Sequence, residues 1–64
     1  MQCIIKINMD NAAFHENENG EELNRILCAT AEKIYGRQWH TGDSITLMDI
    51  NGNSVGTCEF KRSK

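Results

Sequence analysis

The sequence predicts an α+β two-layer sandwich of order β-α-β-β, with a three-stranded antiparallel sheet packed on one helix. Three observations predict it: an alternating apolar run at the start, one apolar stripe of helical period in the middle, and an Asn-Gly turn between two β-rich runs near the end.

In the first run Cys3, Ile5, Ile7 and Met9 fall on one face and Gln2, Lys6 and Asn8 on the other, with Ile4 out of phase. Period two over this length is a half-buried strand. Asp10 and Asn11 then offer turn chemistry, because both side chains can bond back to nearby backbone. Residues 12–19 read as an irregular connection, anchored to the core by Phe14, its one large apolar group.

A helix is expected over residues 20–35. Asn19 can cap it, and Glu22 lies three residues on, where a carboxylate can reach back to the Asn19 amide. Glu21 and Glu22 also suit the positive end of the helix dipole. Leu23, Ile26, Leu27, Ala31 and Ile34 make one helical face, and Gly36 supplies a left-handed stop.

The last two strands are expected at 44–50 and 53–60, joined by Asn51-Gly52. A two-residue turn pairs Ile50 with Asn53, Met48 with Val55 and Ile45 with Cys58. That register gives a core face of Ile45, Leu47, Cys58 and Phe60. A three-residue turn with Gly52 in a bulge is the second choice. With the first strand beside the third, the whole sheet is antiparallel and needs no crossover.

At 64 residues one domain, 1–64, is expected, ending in a basic tail at 61–64 whose order the sequence leaves open. A domain this small buries roughly 60% of its unfolded surface, and most substrate pockets need about 300 Å³ or more. Size therefore argues against an enzyme acting as a monomer, and no catalytic residues and no cofactor are expected. Hydrophobic content of 39% with 25% charged residues suits a globular chain rather than a disordered one. No apolar run approaches the roughly 20 residues of a membrane span. The N-terminus lacks the pattern of a secretory signal, so a cytoplasmic location is expected.

The chemistry-bearing residues are sparse. Cys3, Cys28, Cys58, His15 and His40 include no pair within two to four residues, so no metal site is expected. An odd cysteine set points to reduced, structural thiols. The run Asp49-Ile50-Asn51-Gly52-Asn53 resembles the opening of a calcium loop, but Ser54 stands at its sixth position and Phe60 at its twelfth, so it reads as hairpin turn. An enzyme reading would have to use His40, Asp43 or Cys28, none of which the sequence places beside a partner in a cleft.

Interaction signals are clearer. Asp10, Glu16, Glu18, Glu21 and Glu22 fall within 10–22 without a Lys or Arg among them, while Lys61, Arg62 and Lys64 crowd the end. With a net charge of −2, the chain has few cations to neutralise phosphates, which argues against direct nucleic-acid binding. Capping accounts for Glu21 and Glu22 but not for Glu16 and Glu18. Asp10, Phe14, Glu16 and Glu18 are therefore the candidate partner-binding residues, an acidic knob suited to a basic protein surface. In the two-residue register the sheet face away from the helix carries Ile4, Met48, Ile50 and Val55. Such a face suggests a cover, and a homodimer formed through it is the alternative reading.

The stretches Asn8-Met9-Asp10-Asn11-Ala12-Ala13-Phe14 and Asp49-Ile50-Asn51-Gly52-Asn53-Ser54-Val55-Gly56, with the helical Leu23…Arg25-Ile26-Leu27…Ala31…Ile34 pattern between them, resemble a group of short phage- and prophage-encoded proteins. The resemblance spans nearly the whole chain and brings no catalytic residues with it. It implies a small accessory protein that acts by binding a host protein complex in the host cytoplasm. Anti-CRISPR inhibitors, many of which present acidic surfaces to nucleic-acid-binding machinery, are the analogy.

Overall fold

The computed structural model describes residues 1–15 and 18–63. Strand β1 is Gln2–Ile7, helix α1 is Asn19–Ile34, and strands β2 and β3 are Ser44–Met48 and Ser54–Lys61; a single 3₁₀ turn, Ala12–Phe14, lies between β1 and α1. The sheet order is β1-β3-β2 and both pairings are antiparallel. The β-α-β-β sandwich is therefore the architecture of the chain.

The helix runs one residue ahead of the expected span, from Asn19 to Ile34, so Asn19 is its first residue rather than its cap. Glu18 is the N-cap, and no side chain caps the helix. The expected Asn19–Glu22 box is absent because Glu22 is engaged elsewhere. It is buried and accepts two hydrogen bonds from Arg25 and one from the Ile50 amide. The helix ends as expected, with Tyr35 at the C-cap and Gly36 at φ +82°.

The hairpin combines both expected registers. At its tip Asp49 N–H donates to the Asn53 carbonyl, Gly52 N–H donates to the Asp49 carbonyl, and Gly52 takes φ +84°. This is the three-residue turn, a geometry that needs a residue tolerating positive φ. Farther down, Ile45 pairs with Cys58 and Leu47 with Gly56, the two-residue register. A bulge next to Leu47 and Met48 reconciles them, since Met48 pairs with Ser54 and leaves Val55 over.

The bulge changes what each face carries. Val55 is turned inward and is only 7% exposed, packed with Phe14, Ile26, Leu47, Cys58 and Phe60. It does not belong to the open face. Ile50 is also off that face, in the hairpin loop, where it is 68% exposed.

Gly56 lets β1 close on β3 beside the bulge. A Cβ at this position would run into the Lys6 carbonyl oxygen and lie 3.0 Å from the Ile7 Cα. On the other side of the sheet order, β1 is an edge strand. Cys3 and Ile5 share the helix-facing side with Phe60 and Cys58, their partners on β3, yet both are exposed. The expected core side of β1 is thus covered only near its end, where Ile7 and Met9 pack on the core cluster. The reason is that α1 lies closest to β2 and to the 3₁₀ turn.

Trp39 closes the other end of the core. Its ring stacks on Phe60 at 4.8 Å between centroids and 8° between planes, and its Nε1–H donates to the Ile34 carbonyl. The Arg37 guanidinium covers the outer face of the indole at 4.0 Å.

Candidate functional site

The end of β1, the 3₁₀ turn, the start of α1 and the hairpin tip meet at one end of the molecule, because β1 runs toward Gly56 and the Ile50 amide reaches Glu22. Five described carboxylates lie on these segments, Asp10, Glu18, Glu21, Glu22 and Asp49, and they divide by role. Glu22 is a strut. Arg25 grips it with Nε at 2.7 Å and Nη2 at 3.1 Å, the Ile50 amide reaches it at 2.8 Å, and Arg25 also donates to the Met48 carbonyl. The remaining carboxylates of the acidic stretch, Asp10, Glu18 and Glu21, are exposed, and among the described residues none has an ion-pair partner.

The hairpin loop is braced by its own carboxylate. Asp49 is 4% exposed and accepts hydrogen bonds from the Asn51 and Asn53 amides and from Asn53 Nδ2. These bonds engage both oxygens of the Asp49 carboxylate within the hairpin turn.

Local hydrogen bonds fix the backbone that carries the exposed acids. The Asp10 amide donates to Asn8 Oδ1 at 2.9 Å, and the His15 ring contacts the Asp10 carbonyl at 3.1 Å. The Glu18 carbonyl accepts the Glu21 amide as the first bond of the helix. Glu16 lies outside the described residues. Phe14 cannot touch a partner: it is 3% exposed and sits in the core under this surface. Its part is to anchor the loop that carries Asp10. Glu21 lies in the first turn of α1, as the helix-dipole reading expects, and its side chain is also exposed.

The hydrogen bonds from Arg25 are the main reason that the Glu22 carboxyl is held below its ordinary pKa; burial opposes the shift, and the Ile50 amide and the Arg25 charge add to it. A depressed carboxylate contributes stability that is complete above the unfolded value, 4.5, and fades as pH falls through the lower folded value. Glu22→Gln is therefore expected to lower the urea midpoint at pH 7 and to leave it unchanged at a pH below the folded value. Midpoints that ran parallel at every pH would show that this pair does not supply the acid dependence.

The opposite end gathers cations and aromatics: Arg37 on Trp39, Tyr35 at 86% exposure, and Lys61 and Arg62 at the end of β3. His40 and Asp43 meet there, but in a loop-closing arrangement. Asp43 Oδ2 accepts the His40 backbone N–H at 2.9 Å while the imidazole stands 3.7 Å away and 75% exposed. Cys28 is exposed on α1 and has Asn24 as its neighbour. A cleft of about 120 Å³ lies between α1 and β2, with Arg25, Thr30 and Lys33 in its lining. It includes none of His40, Asp43 and Cys28. Among the described residues no three His, Cys, Asp or Glu side chains are placed to share a metal ion, and no helix is long and apolar enough to cross a membrane.

On the open sheet face, cross-strand partners Lys6, Thr57 and Thr46 form one row, and Ile4, Glu59 and Ser44 the next. Glu59 pairs with Lys61 at 3.6 Å. With Val55 in the core and Ile50 in the loop, Ile4 and Met48 are the large apolar groups left there, among polar neighbours. This is the composition of a solvated face, and it removes the feature that suggested a homodimer. No protein family, curated protein or solved structure matches the chain.

Proposed function

We propose that the chain is a non-enzymatic accessory protein of the phage type that binds a cationic surface of a host nucleic-acid-binding complex through its acidic end, in the manner of an anti-CRISPR inhibitor. The observation that carries this reading is the set of exposed carboxylates Asp10, Glu18 and Glu21, gathered at the end of the molecule away from Arg37, Lys61 and Arg62. Charges left unpaired at one pole attract an oppositely charged surface over a distance of about one Debye length, roughly 8 Å at physiological salt. They raise the rate of encounter and orient it. A groove that normally holds phosphates offers such a surface, and the Glu22–Arg25 pair braces the first turns of α1 beside Glu18 and Glu21.

The test is capture from host lysate with and without nuclease, followed by binding kinetics on the recovered complex. A protein complex that survives nuclease and is displaced by its own nucleic acid is the expected partner. The triple variant Asp10→Lys, Glu18→Lys, Glu21→Lys keeps the fold, since all three side chains are exposed, and should slow association by about tenfold or more at low salt. An unchanged association rate, or recovery that vanishes with nuclease, would overturn the proposal.

A further inference from the structure

Two of the three thiols are neighbours. Cys3 Sγ lies 3.4 Å from Cys58 Sγ, although the residues are 55 apart in sequence. The register explains the contact: Cys3 pairs with Phe60 and Cys58 with Ile5, so the cysteines are diagonal neighbours on the helix-facing side of β1 and β3. Their access to solvent is opposite. Cys3 is exposed because β1 is an edge strand, whereas Cys58 is wholly buried. Neither the acidic end nor the fold's polar struts use this pair.

We propose that Cys3 and Cys58 form a redox-active dithiol in which a hydroperoxide oxidises Cys3 and Cys58 captures the product as a disulfide between β1 and β3. In the first step the Cys3 thiolate attacks the peroxide. An S–O bond forms, the O–O bond breaks, and hydroxide leaves and takes up a proton to become water. Cys3 is then a sulfenic acid. In the second step the Cys58 sulfur attacks the Cys3 sulfur; the S–S bond forms, the S–O bond breaks, and the Cys58 proton leaves with the oxygen as a second water. Two thiols and one hydrogen peroxide give one disulfide and two waters.

The order of events follows from access. Burial, with the Cys3 contact, pushes the Cys58 thiol up to about 11, so it is a protonated thiol at neutral pH and meets no oxidant in solvent. Cys3 meets the peroxide, and its sulfenic acid forms with Cys58 already in van der Waals contact. Cys28 is an internal control, a second exposed thiol with no thiol beside it.

The experiment treats the full chain with one equivalent of hydrogen peroxide under native conditions, alkylates the remaining thiols and maps the peptides without reduction. The expected product is the Cys3–Cys58 link with Cys28 alkylated, favoured over any link to Cys28 by at least about tenfold through proximity. The same treatment in concentrated urea should erase that preference. Cys58→Ala should leave a Cys3 sulfenic acid that dimedone traps, and Cys3→Ser should leave Cys58 unmodified while the protein stays folded by circular dichroism. If Cys58→Ala fails to fold, Cys3→Ser and the wild-type map decide. Cys3 that ends as sulfinic acid with Cys58 free, or links no more frequent than in urea, would overturn the proposal.

Discussion

Gly56→Ala should unfold the chain. The added Cβ would occupy the space of the Lys6 carbonyl oxygen and press on the Ile7 Cα, both backbone atoms of the neighbouring strand. Overpacking among side chains typically costs about 1–3 kcal/mol because rotamers can give way. Here nothing flexible stands in the path, and relief requires separating β1 from β3 at the Ile7–Gly56 and Lys6–Thr57 pairs. A core of this size rarely supplies more than about 3–5 kcal/mol in total, so the strain is comparable with the whole stability. Circular dichroism and Trp39 emission at 25 °C should both report a largely unfolded chain. Gly20→Ala is the control. It lies in the first turn of α1 with nothing within 4 Å of the new methyl, and should stabilise by about 0.4–1 kcal/mol. A folded Gly56→Ala variant with an unchanged urea midpoint would mean that β1 and β3 are not packed this closely.

Gly56 also marks where the sequence stops being legible. The helix could be read from its stripe because helical period depends only on local spacing, and the Asn51-Gly52 turn could be placed because positive φ selects the residue. The bulge could not. Val55-Gly56 reads as an ordinary alternation, and its departure from one comes from the hairpin itself, where the three-residue turn at the tip and the two-residue register farther down leave Val55 over. The error at Val55 and Ile50 then spread to the open face, since one residue of slip exchanges the two sides of a strand. Glu22 failed for a related reason. A capping box is a local pattern, but Arg25 and the Ile50 amide offered its carboxylate more hydrogen bonds than the Asn19 amide could. In the acidic stretch the charges were visible as composition, while their division into struts and free groups depends on tertiary partners. The contact between Cys3 and Cys58 was foreseeable from strand phase. The exposure of Cys3 was not, because it depends on where the helix lies across the sheet.

Phe60→Ala is the second large effect, and it separates the two ends of the molecule. Phe60 is 6% exposed, lies in the core cluster and carries the stacked Trp39. Its backbone also holds the loop before β2, since its amide donates to the Asp43 carbonyl and its carbonyl accepts the Gly42 amide. Truncation to alanine removes a buried ring and should cost about 3–5 kcal/mol, enough to leave a domain of this size mostly unfolded. Phe60→Leu keeps much of the volume and loses the stack, worth about 0.5–1.5 kcal/mol beyond burial. This variant should remain folded with a lower urea midpoint and a red-shifted Trp39 emission. Arg37→Ala, which removes an exposed cation–π contact worth about 0.5–1 kcal/mol, should shift the midpoint less. In the binding assay Phe60→Leu should match the wild type, because Phe60 pairs with Cys3 at the start of β1 while Asp10 follows its end. If Phe60→Leu weakened binding and the triple charge reversal did not, the partner would dock at the Arg37–Trp39 end, and the charge it recognises would be positive.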